Sequence, residues 1–217
     1  MKRDKTTFLL YAVTDRSWIG TAGIFSLEGQ VEDAIRGGAT AVQLREKNIG
    51  IDEFLALAKR VKTITDRHGI PLIINDSLEV AALADAAGLH IGKSDCDPAE
   101  ARVRLAQGKI LGVSVTTPEE AVLAEEAGAD YIGAGAVFRT ETKGDADEVP
   151  PETVRRICEA VRVPVVAIGG ISESSVRLLS GTGIAGIAVV SALFADPERV
   201  RERAARLRAL ADEVCAR

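Results

Sequence analysis

Eight short, almost continuously apolar runs recur along the chain, at 9–15, 41–46, 71–76, 89–92, 110–115, 131–137, 164–170 and 186–194. They are too short for isolated helices and read as strands covered on both faces. Amphipathic stretches lie between them. In 52–61, Phe54, Leu55, Ala58 and Val61 share one helical face while Asp52, Lys59 and Arg60 turn away. Thr117-Pro118-Glu119-Glu120 has the form of a capping box with Pro in the first turn. Asp97-Pro98 and Asp196-Pro197 place an acceptor before a Pro in the same way. Gly69, Gly88, Gly108 and Gly128 mark helix ends.

Strand–helix alternation implies a parallel sheet in an α/β fold. Eight units suit a closed barrel or an open doubly wound sheet. The count of eight, and the lack of a G-x-G-x-x-G loop after the first strand, favour a (β/α)8 TIM barrel. At about 27 residues per unit, the eight units take up the chain, so 1–217 is expected to form a single compact domain.

Composition narrows the function. Hydrophobic residues make up 47% and charged residues 27%, which excludes a disordered chain. Aromatics are only 4%, so the core is expected to be Ala, Val, Ile and Leu. The net charge of −5, with no Lys/Arg block, argues against a nucleic-acid partner. The longest apolar stretch, 184–195, is interrupted by Gly186 and Ser191 and is too short to span a bilayer. The apolar segment after the basic start MKRDKTT is too short for a secretory signal. Cys96, Cys158 and Cys215 form no C-x-x-C pair, so a reduced, cytoplasmic protein is expected.

In TIM barrels the site lies at the C-terminal strand ends. The second strand ends Gln43-Leu44-Arg45-Glu46-Lys47, and alternation turns Gln43, Arg45 and Lys47 the same way. Two cations and an amide on a buried strand end suit an anion. Asp76 and Asp95 end the third and fourth strands and suit Mg²⁺, unless each only caps a following helix. Ser114, near the end of the fifth strand, reads as a hydrogen-bond donor, since no histidine is placed to make it a nucleophile. His68 reads as a helix-end residue and His90 as a satisfied core residue. The long polar connection 138–150 is a lid candidate. Ile168-Gly169-Gly170-Ile171-Ser172, opening a helix beside the eighth strand end, reads as a phosphate cradle.

Seven segments in register carry a family resemblance: Gln43-Leu-Arg-Glu-Lys47, Ile74-Asn-Asp76, His90-Ile-Gly-Lys-Ser-Asp95, Gly112-Val-Ser114, Thr140-Glu-Thr-Lys143, Ile168-Gly-Gly-Ile171 and Val189-Val-Ser-Ala192. In that order and spacing the chain resembles the thiamine phosphate synthase family, nearly end to end. The resemblance implies a transferase of thiamine biosynthesis that joins a hydroxymethylpyrimidine diphosphate to a hydroxyethylthiazole phosphate and releases pyrophosphate. It implies that Gln43, Arg45, Lys47, Asn75, Ser114 and Lys143 hold the diphosphate, with Ser114, Lys143 and Arg45 catalytic. It implies one Mg²⁺ per subunit on Asp76 and Asp95, and a thiazole phosphate on Thr140, Thr142, Gly170, Val190 and Ser191. Small phosphorylated molecules are then the partners, with neither nucleic acid nor membrane; a homo-oligomer stays open. Lys93, Arg139 and Ser77 depart from the family's usual residues. The alternatives are a thiazole tautomerase on the same scaffold, disfavoured by Asp95 and by Ala136 after Gly135, and a phosphate-ligand sensor, which would not need the carboxylate pair.

Overall fold

The computed structural model describes residues 5–18, 26–93, 95–139 and 148–215. Its eight parallel strands close on themselves in sequence order. They are β1 (Leu10–Val13), β2 (Ala41–Leu44), β3 (Leu72–Asn75), β4 (Gly88–Ile91), β5 (Ile110–Val115), β6 (Tyr131–Ala134), β7 (Val165–Ile168) and β8 (Gly186–Val189). The helices are α1 (Leu27–Arg36), α2 (Ile51–Arg67), α3 (Leu78–Leu83), α4 (Pro98–Arg104), α5 (Pro118–Glu126), α6 (Pro151–Ala160), α7 (Ser191–Phe194) and α8 (Val200–Cys215). β1 pairs with β2 through Tyr11 opposite Ala41, and with β8 through Tyr11 opposite Ala188, which seals the barrel. No helix of the described residues is long and apolar enough to cross a membrane.

Alternation along each strand sorts the core into two clusters. Outward residues such as Leu10, Val42, Leu44, Leu72, Ile74 and Leu89 meet the helices. α2 supplies Phe54, Leu57, Ala58, Val61 and Ile64 to that layer, while Leu55 is only partly buried. Each such fully buried aliphatic side chain contributes about 1.5–3 kcal/mol.

The inward cluster differs from the aliphatic core that the composition implies. Phe8, Tyr11 and Tyr131 fill the barrel together with Val13, Ala41, Ile73, Ile110, Val166 and Ala188. Phe8 stacks on Tyr131 with ring centroids 4.2 Å apart. A Cβ at Gly112 on β5 would run into the Tyr131 ring, so the glycine makes the space that the aromatic takes. Three of the eight aromatics, Phe8, Tyr11 and Tyr131, fill the narrow barrel.

Helix ends follow the sequence signals with instructive exceptions. Thr117 Oγ1 accepts from Glu120 N, the first arm of the capping box, but Glu120 reaches back to Thr116 N rather than to Thr117. Asp97 caps α4 as expected. Asp196-Pro197 starts only a turn, with Arg199 N donating to Asp196 O, and α8 begins at Val200. Gly88 does not end a helix but belongs to β4; α3 ends before Asp85, which takes the left-handed φ of 52°. After β7 there is no α-helix, only a 3-10 turn, Val176–Leu179. The apolar run 186–194 divides into β8 and α7.

Candidate active site at the C-terminal strand ends

The end of β2 splits by alternation. Gln43 points into the barrel, 3% exposed, and donates through Nε2 to Tyr11 Oη at 3.0 Å. Arg45 lies half-buried with Nη1 3.4 Å from Asp15 Oδ2, and Lys47 Nζ is 3.7 Å from Asp76 Oδ2. Glu46 turns the other way and is buried against Arg16, whose Nε donates to Oε2 at 2.8 Å. Its Oε1 has no hydrogen-bond partner, and burial pushes its carboxyl above the usual range despite the Arg16 charge. Arg45 and Lys47 thus stand together at the rim, each beside a carboxylate.

Asp76 is not a helix cap. Ser77 caps α3, its Oγ accepting from Val80 N at 3.2 Å. Asp76 itself has φ 64°, and its N–H donates to His90 O at 2.8 Å. Aspartate and asparagine enter the left-handed region more readily than most residues, and Asn48 and Asp85 do so here as well. Asp95 caps no helix either: its Oδ2 accepts from Gly92 N at 2.6 Å, in the turn after β4. Neither carboxylate therefore caps the helix that follows it. Asn75, beside Asp76, is 8% exposed and pairs in register with His90. No group of three or more His, Cys, Asp or Glu able to hold a metal occurs among the described residues.

Ser114 corrects the expectation about histidine. His90 Nε2 lies 2.8 Å from Ser114 Oγ, and His90 Nδ1 lies 2.8 Å from Tyr131 Oη. The histidine is satisfied and buried, as expected, but its satisfaction comes from a row of polar groups that includes the serine. Tyr11, Gln43, His90, Tyr131, Gly133, Val166, Ile168 and Ala188 line a small pocket at this level. Burial raises both phenols above their ordinary value, so both remain protonated at neutral pH.

The β6–β8 side is made of backbone. Gly169 and Gly170 have φ of 97° and 63°. A Cβ at Gly170 would come within 2.6 Å of the carbonyl oxygens of Phe138 and Arg139. The glycine is therefore required by the packing of the 138–139 segment. Val190 precedes α7 and Ser191 begins it; Leu193 N and Phe194 N donate to Val190 O, while the N–H groups of Ser191 and Ala192 lie ahead of these first helical bonds. Thr140, Thr142 and Lys143 lie outside the described residues, as does most of the expected lid.

Comparison with known proteins agrees with this architecture. The sequence model of the family described as thiamine monophosphate synthase matches residues 10–193. The chain belongs to this family. A thiamine-phosphate synthase of Clostridium beijerinckii is 47% identical over 193 residues, covering 89% of this chain and 91% of the relative. Thiamine-phosphate synthase 2 of Streptococcus pneumoniae is 48% identical over 185 residues, covering 85% of this chain and 87% of the relative. The solved structure of a thiamine phosphate pyrophosphorylase from Pyrococcus furiosus superposes with a TM-score of 0.88 at 38% identity, covering 97% of this chain and 98% of its own.

Within the thiamine monophosphate synthase family, the departures have local accounts. Lys93 Nζ donates to Thr116 Oγ1 at 2.7 Å and Glu120 Oε1 at 2.5 Å, tying the turn after β4 to the start of α5. Ser77 caps α3. Arg139 is exposed. Tyr11, Tyr131 and Asp15 are the site neighbours that the sequence reading does not single out. The signal for the tyrosines is parity: Tyr11 and Tyr131 occupy inward positions on their strands, as do Gln43, His90 and Ser114.

Proposed function

We propose that this chain acts as a thiamine-phosphate synthase. It joins 4-amino-5-hydroxymethyl-2-methylpyrimidine diphosphate to hydroxyethylthiazole phosphate and releases pyrophosphate. The observation that carries the reading is the placing of Arg45, 3.4 Å from Asp15, and of Lys47, 3.7 Å from the left-handed Asp76, at one rim of a barrel of this family.

Arg45 and Lys47 would grip the diphosphate, with Lys143 from the 138–150 connection. Gln43 and Asn75 would orient the pyrimidine from the barrel wall. Ser114 would donate a hydrogen bond to the leaving group. Thr140, Thr142, Gly170, Val190 and Ser191 would hold the thiazole phosphate, the last three through the backbone.

Asp76 and Asp95 fit Mg²⁺ by donor type: two carboxylates on adjacent strand ends, to be completed by phosphate oxygens and water. When bound, the ion would neutralise charge developing on the departing pyrophosphate. The carbon–oxygen bond to pyrophosphate breaks with its electron pair leaving on oxygen. The aminopyrimidine ring spreads the positive charge left on the methylene carbon. The thiazole nitrogen lone pair then forms the new carbon–nitrogen bond. No protein nucleophile is needed, and holding both substrates in one barrel mouth lowers the entropic part of the barrier.

The test is a pyrophosphate-release assay with both substrates. Thiamine phosphate should appear in step with pyrophosphate, stop on addition of a chelator and resume with Mg²⁺. Pyrophosphate without thiamine phosphate would refute the condensation. Turnover indifferent to the chelator would refute the metal.

A further inference from the structure

Five polar side chains form one continuous hydrogen-bonded row through the barrel. Gln43 Nε2 donates to Tyr11 Oη at 3.0 Å. Tyr11 Oη and Tyr131 Oη are 2.9 Å apart. Tyr131 Oη and His90 Nδ1 are 2.8 Å apart, as are His90 Nε2 and Ser114 Oγ. The row crosses from β1 and β2 to β6, β4 and β5, joining one side of the barrel to the serine on the other.

Counting protons gives the row a direction. Each phenol holds one proton, and burial keeps both phenols neutral. The contacts of Tyr11 Oη are the Gln43 amide nitrogen and Tyr131 Oη. An amide nitrogen only donates, so the Tyr11 proton must go to Tyr131. The Tyr131 proton cannot point back along the same contact, so it goes to His90 Nδ1. That nitrogen is then the acceptor of the ring, and Nε2 carries the proton. Nε2–H donates to Ser114 Oγ, which leaves the serine's own proton free to point elsewhere.

We propose that His90 is a positioning residue, held by Tyr131, Tyr11 and Gln43 as the Nε2–H tautomer so that Ser114 can only donate, not lose, its proton toward the pyrophosphate. The proposal rests on the reading of Ser114 as a donor to the leaving group. It also explains why a Ser–His contact of 2.8 Å makes no nucleophile: the nitrogen facing the serine has no lone pair to accept its proton. The surroundings fix the row in place. Phe8 stacks on Tyr131, and a Cβ at Gly133 would lie only 3.1 Å from His90 Cε1. A donor fixed before the charge develops needs no reorganisation during the reaction.

The chain has two histidines, so ¹⁵N-histidine labelling with His68→Gln leaves His90 as the one imidazole signal. The expected spectrum shows a protonated Nε2 and an unprotonated Nδ1. Tyr131→Phe keeps the ring that Phe8 stacks on but deletes the donor to Nδ1. It should give a mixture of tautomers and lower kcat about tenfold, with the KM for thiazole phosphate unchanged. Tyr11→Phe, one step further from His90, should do the same more weakly and serves if Tyr131→Phe does not fold. A wild-type spectrum with Nδ1 protonated would overturn the proposal. So would a folded Tyr131→Phe with unaltered tautomer and kcat. The spectrum is read without substrates, so a wild-type protein that releases no pyrophosphate would count against the proposed activity and leave the tautomer result standing.

Discussion

On the proposed function, the β2–β5 side of the barrel mouth and the β7–β8 side would meet anions in opposite ways. The first offers side chains: Arg45, Lys47, Asp76 and Ser114, each with a polar neighbour already in place. The second offers main chain: the Gly169-Gly170 turn and the start of α7 at Ser191. A side-chain group disappears with one substitution. A backbone N–H survives any change of side chain that leaves the turn intact, and is lost only when the turn is rebuilt. The two sides should therefore answer the same kind of mutation differently.

The largest effect is expected at Asp76. Asp76→Asn keeps a residue that tolerates φ 64° while removing the charge. Pyrophosphate release at saturating substrate should fall about a thousandfold, with the thermal unfolding midpoint nearly unchanged because Asp76 caps no helix. A variant of near wild-type rate would strip this side of its metal role. Next comes Arg45→Ala, which removes a cation and leaves Asp15 unpartnered by it. Charge-assisted contacts of this kind are worth about 1.5–3 kcal/mol, or roughly 10- to 100-fold in diphosphate affinity. Calorimetric titration of each ligand alone should show thiazole phosphate almost unaffected. Equal weakening of both would erase the division between the two sides.

Gly170 tests the backbone side by rebuilding its turn. Gly170→Ala sets a Cβ within 2.6 Å of two carbonyl oxygens at a φ of 63°. The expected cost is about 1–3 kcal/mol of stability in a denaturant titration, accompanied by a higher KM for thiazole phosphate. A variant of unchanged stability with a raised KM would show that the glycine serves the ligand alone. The packing requirement at this residue also means that a bulkier substitution, such as Gly170→Val, would confound packing with binding.

How much of this is legible in the sequence depends on which physical signal is involved. Alternation alone sends Gln43 inward and Glu46 outward, and the structure keeps that division. β5 is read to the residue because its apolar run is bounded by polar groups on both sides. β8 is read too long, because the apolar residues of α7 continue the run without a break and four residues are too few to show a helical period. The row from Gln43 to Ser114 is not legible, because it joins residues up to 120 positions apart whose contacts depend on barrel closure and on ring size. His90 looks like a core residue in sequence and is one. What sequence does not give is the identity of the atoms that satisfy it.

The smallest effect sharpens the comparison most. The same substitution, Ser to Ala, can be made on each side of the mouth. At Ser114 it deletes the hydroxyl that His90 Nε2 touches, and kcat should drop about a hundredfold if that hydroxyl donates to the leaving group. At Ser191 the hydroxyl has no hydrogen-bond partner among the described residues, while the main-chain N–H at the first turn of α7 is untouched by the change. Alanine is also an excellent helix former, so the turn should persist. Ser191→Ala should then alter the KM for thiazole phosphate by less than about threefold, the size expected when a weak or solvent-shared hydrogen bond is lost. The measurement is a pair of KM determinations at fixed, saturating diphosphate. A tenfold or larger rise for Ser191→Ala would place recognition on the side-chain hydroxyl. Both sides of the mouth would then work by side chains, and the α7 backbone would lose its assigned role.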